Sequence, residues 1–81
     1  MSTLARDVVH LVAELAEIDE SEVLPDRALR ELGVDSLMVL EIVAFIEKAT
    51  CTTVGEEDIK GVKTVSDLIA RAERAAASVG S

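Results

Sequence analysis

Apolar residues recur along this chain at the three- and four-residue steps of a helix, in blocks divided by polar punctuation. Leu4, Val8, Leu11, Val12 and Leu15 share one helical face and predict a first helix from about Thr3 to Glu17, capped by Ser2 or Thr3. Val39, Ile42, Val43 and Ile46 predict the core face of a second, from Ser36 to about Ala49, with Leu40 and Phe45 on its flanks and Glu41 and Glu47 outside. A last helix is expected after Thr64, which caps it, with Asp67 in its first turn and Val65, Leu68, Ile69 and Ala72 facing inward. Ala75-Ala76-Ala77 extends it, and Val79 to Ser81 are expected to fray. Between the second and last helices, Thr53 and Glu56 have capping-box spacing, so a helix of one or two turns is expected, anchored by Ile59 and ended by Gly61.

The stretch from Ile18 to Leu32 breaks the pattern. Its Asp-Glu-Ser-Glu run and the later Pro25-Asp26 argue against continuous helix, so it reads as an ordered loop pinned to the core by Val23, Leu24 and Leu29, with a short turn at Ala28 to Glu31. Acids alternating from Asp19 raise a calcium loop, but the sixth position is Leu24 where the sharp turn needs glycine. There are no repeats or low-complexity linkers. The expected architecture is therefore all-α, a small bundle of three main helices plus one short helix.

The loop ends at Leu32-Gly33-Val34, where glycine permits backbone angles closed to other residues, and Asp35 follows as the N-cap of the second helix. Ser36 then occupies the first helical position. Its hydroxyl would face solvent beside the positive end of the helix dipole, where a covalently attached phosphate is favoured. It does not read as a catalytic serine, because His10 is the one histidine and no lysine lies nearby in sequence to serve as base. An ordinary capped helix would also contain Asp-Ser-Leu.

With 81 residues the chain makes one small domain, its ordered core expected over about residues 3–77. Phe45 is its one aromatic residue, so Val, Leu, Ile and Ala must build the interior and little is left to wall a deep substrate pocket. The net charge is −8, and from Glu14 to Glu47 ten acids face only Arg27 and Arg30. Such a field repels nucleic acid and attracts basic protein surfaces, with the plainer alternative that it keeps a small protein soluble. A single Cys51 precludes an intramolecular disulfide framework and fits a reducing compartment. Arg6 and Asp7 interrupt any secretory signal, and Leu37 to Ile46 is too short to cross a bilayer, so a cytoplasmic location is expected; a monomer is expected as well. His10 beside the first helix face reads as a partly exposed helix residue, and no metal-ligand spacing accompanies it.

Leu32-Gly33-Val34-Asp35-Ser36-Leu37 resembles the attachment motif of acyl carrier proteins, and the likeness covers nearly the whole chain. The resemblance implies that Ser36 carries a phosphopantetheine arm from coenzyme A, whose thiol holds acyl groups as thioesters. It further implies that Asp35 helps a phosphopantetheinyl transferase hold magnesium, that Leu37 is an apolar partner contact, and that partners read the second helix through Glu41 and Glu47. Ketosynthases, acyltransferases or other pathway enzymes with basic docking surfaces would be those partners. Met38 is open between an exposed adaptable contact and a core filler.

The chain departs from its relatives in places. Val34 stands where peptidyl carriers commonly have a second glycine, which weighs against a peptidyl or aminoacyl carrier. Met38 stands where fatty-acid carriers often have an acid, Thr52-Thr53-Val54-Gly55 replaces a proline before the short helix, and Lys48 interrupts an often acidic helix end. These tilt the expectation from fatty-acid synthesis towards a polyketide or other specialised pathway. The rival of another class is a small acidic helical adaptor without a prosthetic group, which needs no special serine. A start at Met1 and a loose tail look freestanding, as would a domain cut from a multienzyme.

Overall fold

The structure, a computed structural model, describes residues 3–79. Four α-helices follow one another: α1 (Thr3–Ala16), α2 (Ser36–Thr50), α3 (Glu56–Lys60) and α4 (Val65–Val79). This is the expected all-α bundle of three main helices and one short one. Val79 is helical, Ser2 as a cap lies outside the described residues, and so do Gly80 and Ser81.

α1, α2 and α4 pack on one another in all three pairings around Val8, Val12, Ile42, Ile46, Val65 and Leu68. The buried face of α1 runs through Ala5, Val8, Val9, Val12 and Ala13, while Leu4, Leu11 and Leu15 are only half-buried. Large residues therefore mark the edge of that face. Small ones mark its centre, because a helix that must approach others closely gains more from Ala and Val on the contact line than from long side chains.

α1 ends one residue earlier than its periodicity suggests. Glu17 takes a left-handed backbone (φ 57°), its N–H bonding the Glu14 carbonyl at 3.2 Å and that of Ile18 the Ala13 carbonyl at 3.0 Å. This is a Schellman closure made without glycine.

The Ile18–Leu32 connection is ordered, and its acids serve its own backbone. Asp19 Oδ1 accepts from the Ser21 N–H at 3.1 Å, opening a 3₁₀ turn at Glu20–Glu22. A second 3₁₀ turn, Leu29–Leu32, has Glu31 Oε1 accepting from the Ala28 N–H at 3.1 Å. Val23, Leu29 and Leu32 are buried, but Leu24 is 48% exposed and does not pin the loop as expected. Adjacent side chains of non-helical backbone point apart, so burying Val23 turns Leu24 outward.

The loop is strapped to the far end of the chain. Arg27 and Pro25 carbonyls accept from the Val65 and Ser66 N–H groups at 3.0 and 2.9 Å, and the Lys63 carbonyl accepts from Leu29 at 2.9 Å. Pro25 thus contributes an acceptor as well as a helix break. The N–H groups that α4 leaves unpaired at its start are capped by a segment distant in sequence.

α3 begins later than the Thr53 to Glu56 spacing suggests. Its N-cap is Gly55, whose N–H donates to Asp58 Oδ2 at 3.3 Å. Ile59 is half-buried against the core and Gly61 follows the last turn, as expected.

Candidate functional site

The approach to α2 is built from local parts. Gly33 has φ +86°, and its N–H closes the preceding turn on the Arg30 carbonyl at 3.2 Å. A Cβ there would touch nothing within 4 Å, so the glycine is required by backbone angle and not by crowding. Val34 is buried and fixes the direction of entry. Asp35, with extended backbone, caps the helix as expected: its Oδ1 accepts from the Met38 N–H at 2.9 Å and its carbonyl from Val39 at 3.0 Å. Ser36 is the first residue of α2 and is exposed.

Beyond Ser36 the helix has two unlike sides. Ile42, Val43 and Ile46 face the core, whereas Leu37, Leu40, Glu41, Ala44 and Lys48 recur at three- and four-residue steps and are all exposed. Leu37 is 67% exposed and Leu40 54%, which is uneconomical for two leucines on one face of so small a protein. Leu40, expected on the flank of the core face, lies instead on this outer side. Its spacing from Leu37 and Ala44, opposite Ile42 and Ile46, was the signal that could have found it. Met38 is half-buried and packs against the core while keeping part of its surface accessible.

The two acids assigned to the outer side separate. Glu41 is exposed, but Glu47 is only half-exposed and its Oε2 accepts from the Val54 N–H at 2.7 Å, tying α2 to the segment before α3. Lys48, not Glu47, follows Glu41 along the outer face. The same end of α2 is fastened by Thr50, whose buried Oγ1 donates to the Ile46 carbonyl at 2.7 Å and meets Thr52 Oγ1 at 2.7 Å. Cys51 then turns left-handed (φ 55°) and stays exposed.

Val39, expected in the core, is half-buried because it forms a wall of a groove of about 650 Å³. Ser36 and Asp35 stand at the α2 side of this groove, Ile59, Lys60, Val62 and Lys63 across from them, and Leu29, Arg30 and Val34 also line it. The sequence placed the serine but not the groove. An exposed hydroxyl at a capped helix start fits a phosphate-linked arm, because the helix end favours its charge.

Residues 6–72 match the family model described as phosphopantetheine attachment site. The chain belongs to the acyl carrier family. Among curated proteins this carrier is similar to the non-reducing polyketide synthase dbaI of Emericella nidulans, with 36% identity over 66 residues, or 82% of this chain and 2% of that protein. It is also similar to the meromycolate extension acyl carrier protein of Mycobacterium tuberculosis, 30% identical over 64 residues, 78% of this chain and 56% of that one. The acyl carrier protein of Helicobacter hepaticus is 34% identical over 64 residues, 78% of this chain and 84% of that one. The chain thus spans a small fraction of the synthase and about half of the mycobacterial carrier. A carrier of this family holds a covalently bound phosphopantetheine.

Two charged groups away from the helix start are set by neighbours. His10 Nδ1 lies 3.2 Å from Glu20 Oε2 and Nε2 3.1 Å from Glu14 Oε1, linking α1 to the first 3₁₀ turn; the Glu20 hydrogen bond, then the Glu14 charge, raise its pKa. Asp67 Oδ2 accepts from the Lys63 and Thr64 N–H groups at 3.1 Å each, which lowers its pKa, while Thr64 Oγ1 accepts from the Asp67 N–H at 3.1 Å. Thr64 caps α4 with Asp67 in its first turn, as expected, and the two form a reciprocal capping box.

Proposed function

We propose that Ser36 is the attachment residue and that this carrier presents acyl intermediates to the enzymes of a polyketide or other specialised pathway. The observation that carries the reading is the exposed Ser36 hydroxyl at the start of α2, held there by the Gly33 turn and the Asp35 cap. When bound, the arm supplies a thiol on which acyl groups are carried as thioesters. The chain itself has no chemical step to perform; α2 presents the serine, and the rigid Gly33–Asp35 approach keeps it accessible. Leu37, Leu40 and Glu41 form the surface that partners read, with Met38 as an adaptable neighbour. Asp35, whose Oδ1 is engaged by Met38, offers its carboxylate edge to the metal of a phosphopantetheinyl transferase. Glu47 reaches partners less directly, through the α2 end that it fastens.

A polyketide or related pathway is supported by Met38 in place of an acid two residues after the serine, and by the likeness to a segment of a polyketide synthase. No helix among the described residues is long and apolar enough to cross a membrane, and the function needs none; a cytoplasmic protein serving enzymes in trans is the simplest form of it. Intact mass with peptide mapping, after incubation with coenzyme A and a transferase, tests the assignment. One arm on the Ser36 peptide is the expected result, and an unmodified mass would overturn it. Acylated protein is then offered to ketosynthases of fatty-acid and polyketide type; transfer to the fatty-acid enzyme alone would move the carrier to that pathway.

A further inference from the structure

Charge in the groove beside Ser36 runs against that of the whole protein. Arg30, Lys60 and Lys63 line it and Asp35 is the one acid among its lining residues, in a chain of net charge −8 that has eight basic residues altogether. Among the described residues none of these three cations is in an ion pair, although Lys63 contributes slightly to lowering the pKa of Asp67. Beneath them the lining is apolar: Leu29 and Val34 are buried, and Val39, Ile59 and Val62 half-buried. Long basic side chains can lay their stems on such a surface and keep their heads at its mouth.

Resting on Ser36 as the attachment point, we propose that Arg30, Lys60 and Lys63, at the mouth of this groove, favour on the arm a cargo ending in a carboxylate over a neutral acyl group of equal carbon number. A purely aliphatic cargo would need only the apolar lining. Three cations in no ion pair among the described residues, at the edge of that lining, suit a carboxylate at the cargo's end. Because the heads are exposed, the carboxylate competes with water for them, and the preference is a few-fold and salt-sensitive rather than absolute. The arm's phosphodiester is an oxyanion as well, but it is common to every loaded form. Comparing two cargoes on one arm therefore isolates the carboxylate.

The test loads malonyl and propionyl arms, three carbons each, from their coenzyme A thioesters, with intact mass recording the load on Ser36. Side-chain resonances of Arg30, Lys60 and Lys63 are expected to move in the malonyl protein relative to both the propionyl and the unacylated holo protein. A ¹³C-labelled malonyl carboxylate is expected to bind its proton two- to threefold more weakly on wild type than on R30Q/K60Q/K63Q. These substitutions spare the backbone bond between Lys63 and Leu29, and the single changes R30Q and K60Q give the same readout if the triple variant does not fold. Equal titration on wild type and variants would overturn the proposal. So would resonance changes complete in the holo form, which would make the phosphodiester the occupant. If no arm is added to Ser36, the carrier reading itself fails; loading without a difference between cargoes removes only the carboxylate preference.

Discussion

The entrances of α2 and α4 are both capped by an oxygen-bearing side chain, yet they are held in opposite ways. At α2 the whole device lies in consecutive residues, Gly33 to Met38, and its outer side remains open, with Ser36 and Leu37 exposed. At α4 the local box of Thr64 and Asp67 is reinforced by carbonyls of Pro25 and Arg27, and Val65 and Leu68 are fully buried behind it. Under the proposed function, the difference follows from use. A helix start that must be reached by other proteins has to cap itself, whereas one that closes a loop can borrow acceptors from that loop and shed its solvent-facing surface.

The sharpest break of this comparison is Ser36→Ala. Modification should be lost completely, while stability moves within about 0.5 kcal/mol because only an exposed hydroxyl is removed; an arm still found on the Ser36→Ala protein, at Ser21, Ser66 or elsewhere, would contradict the assignment. Gly33→Ala comes next. With open space around the new Cβ, its cost is that of the left-handed backbone, about 1–2 kcal/mol in a urea melt. The same substitution at Gly61, where φ is −85°, should cost much less.

Cap removal compares the two entrances directly. Asp35→Ala and Thr64→Ala should each cost about 1 kcal/mol, but only Asp35→Ala should also slow arm transfer. Equal transfer rates for both variants would mean that Asp35 acts on the helix alone. Charge reversal then divides the two acids of α2. Glu41→Lys should leave the melt nearly unchanged and slow modification by the transferase several-fold at low salt, the deficit shrinking as salt is added. Glu47→Lys should appear mainly in stability, at about 1 kcal/mol, since the Val54 N–H loses its acceptor, and Glu47→Gln should recover most of that loss.

The smallest effects concern pH. The raised pKa of His10 means that its contribution to stability is complete below a histidine's ordinary value, about 6.5, and fades as pH rises through the folded value. Asp67, lowered by its two backbone donors, contributes above the ordinary aspartate range and loses that contribution as pH falls through its folded value. Thermal melts of His10→Gln against wild type should therefore diverge below neutrality and converge above it. Parallel curves across that range would show that the link from α1 to the first 3₁₀ turn does not hold charge.

What the sequence determined by itself is what a few neighbouring residues can decide. Helical period, the Gly33 turn, the Asp35 and Thr64 caps and the position of Ser36 each depend on contacts within about one helical turn, and all are legible. Failures began where a side chain had to choose between neighbours far along the chain. Leu24 has the hydrophobicity of a core residue, and only the burial of its neighbour Val23 leaves it outside. Glu47 has the charge of a docking residue, and only the return of the chain at Val54 turns it to a backbone donor. The groove beside Ser36 needs the second 3₁₀ turn, α2, α3 and the Val62–Lys63 segment at once, so no local pattern encodes it. Local hydrogen bonds are chosen by residues that cannot escape one another; burial is chosen by the whole chain, through a core too small to admit every apolar residue that could enter it.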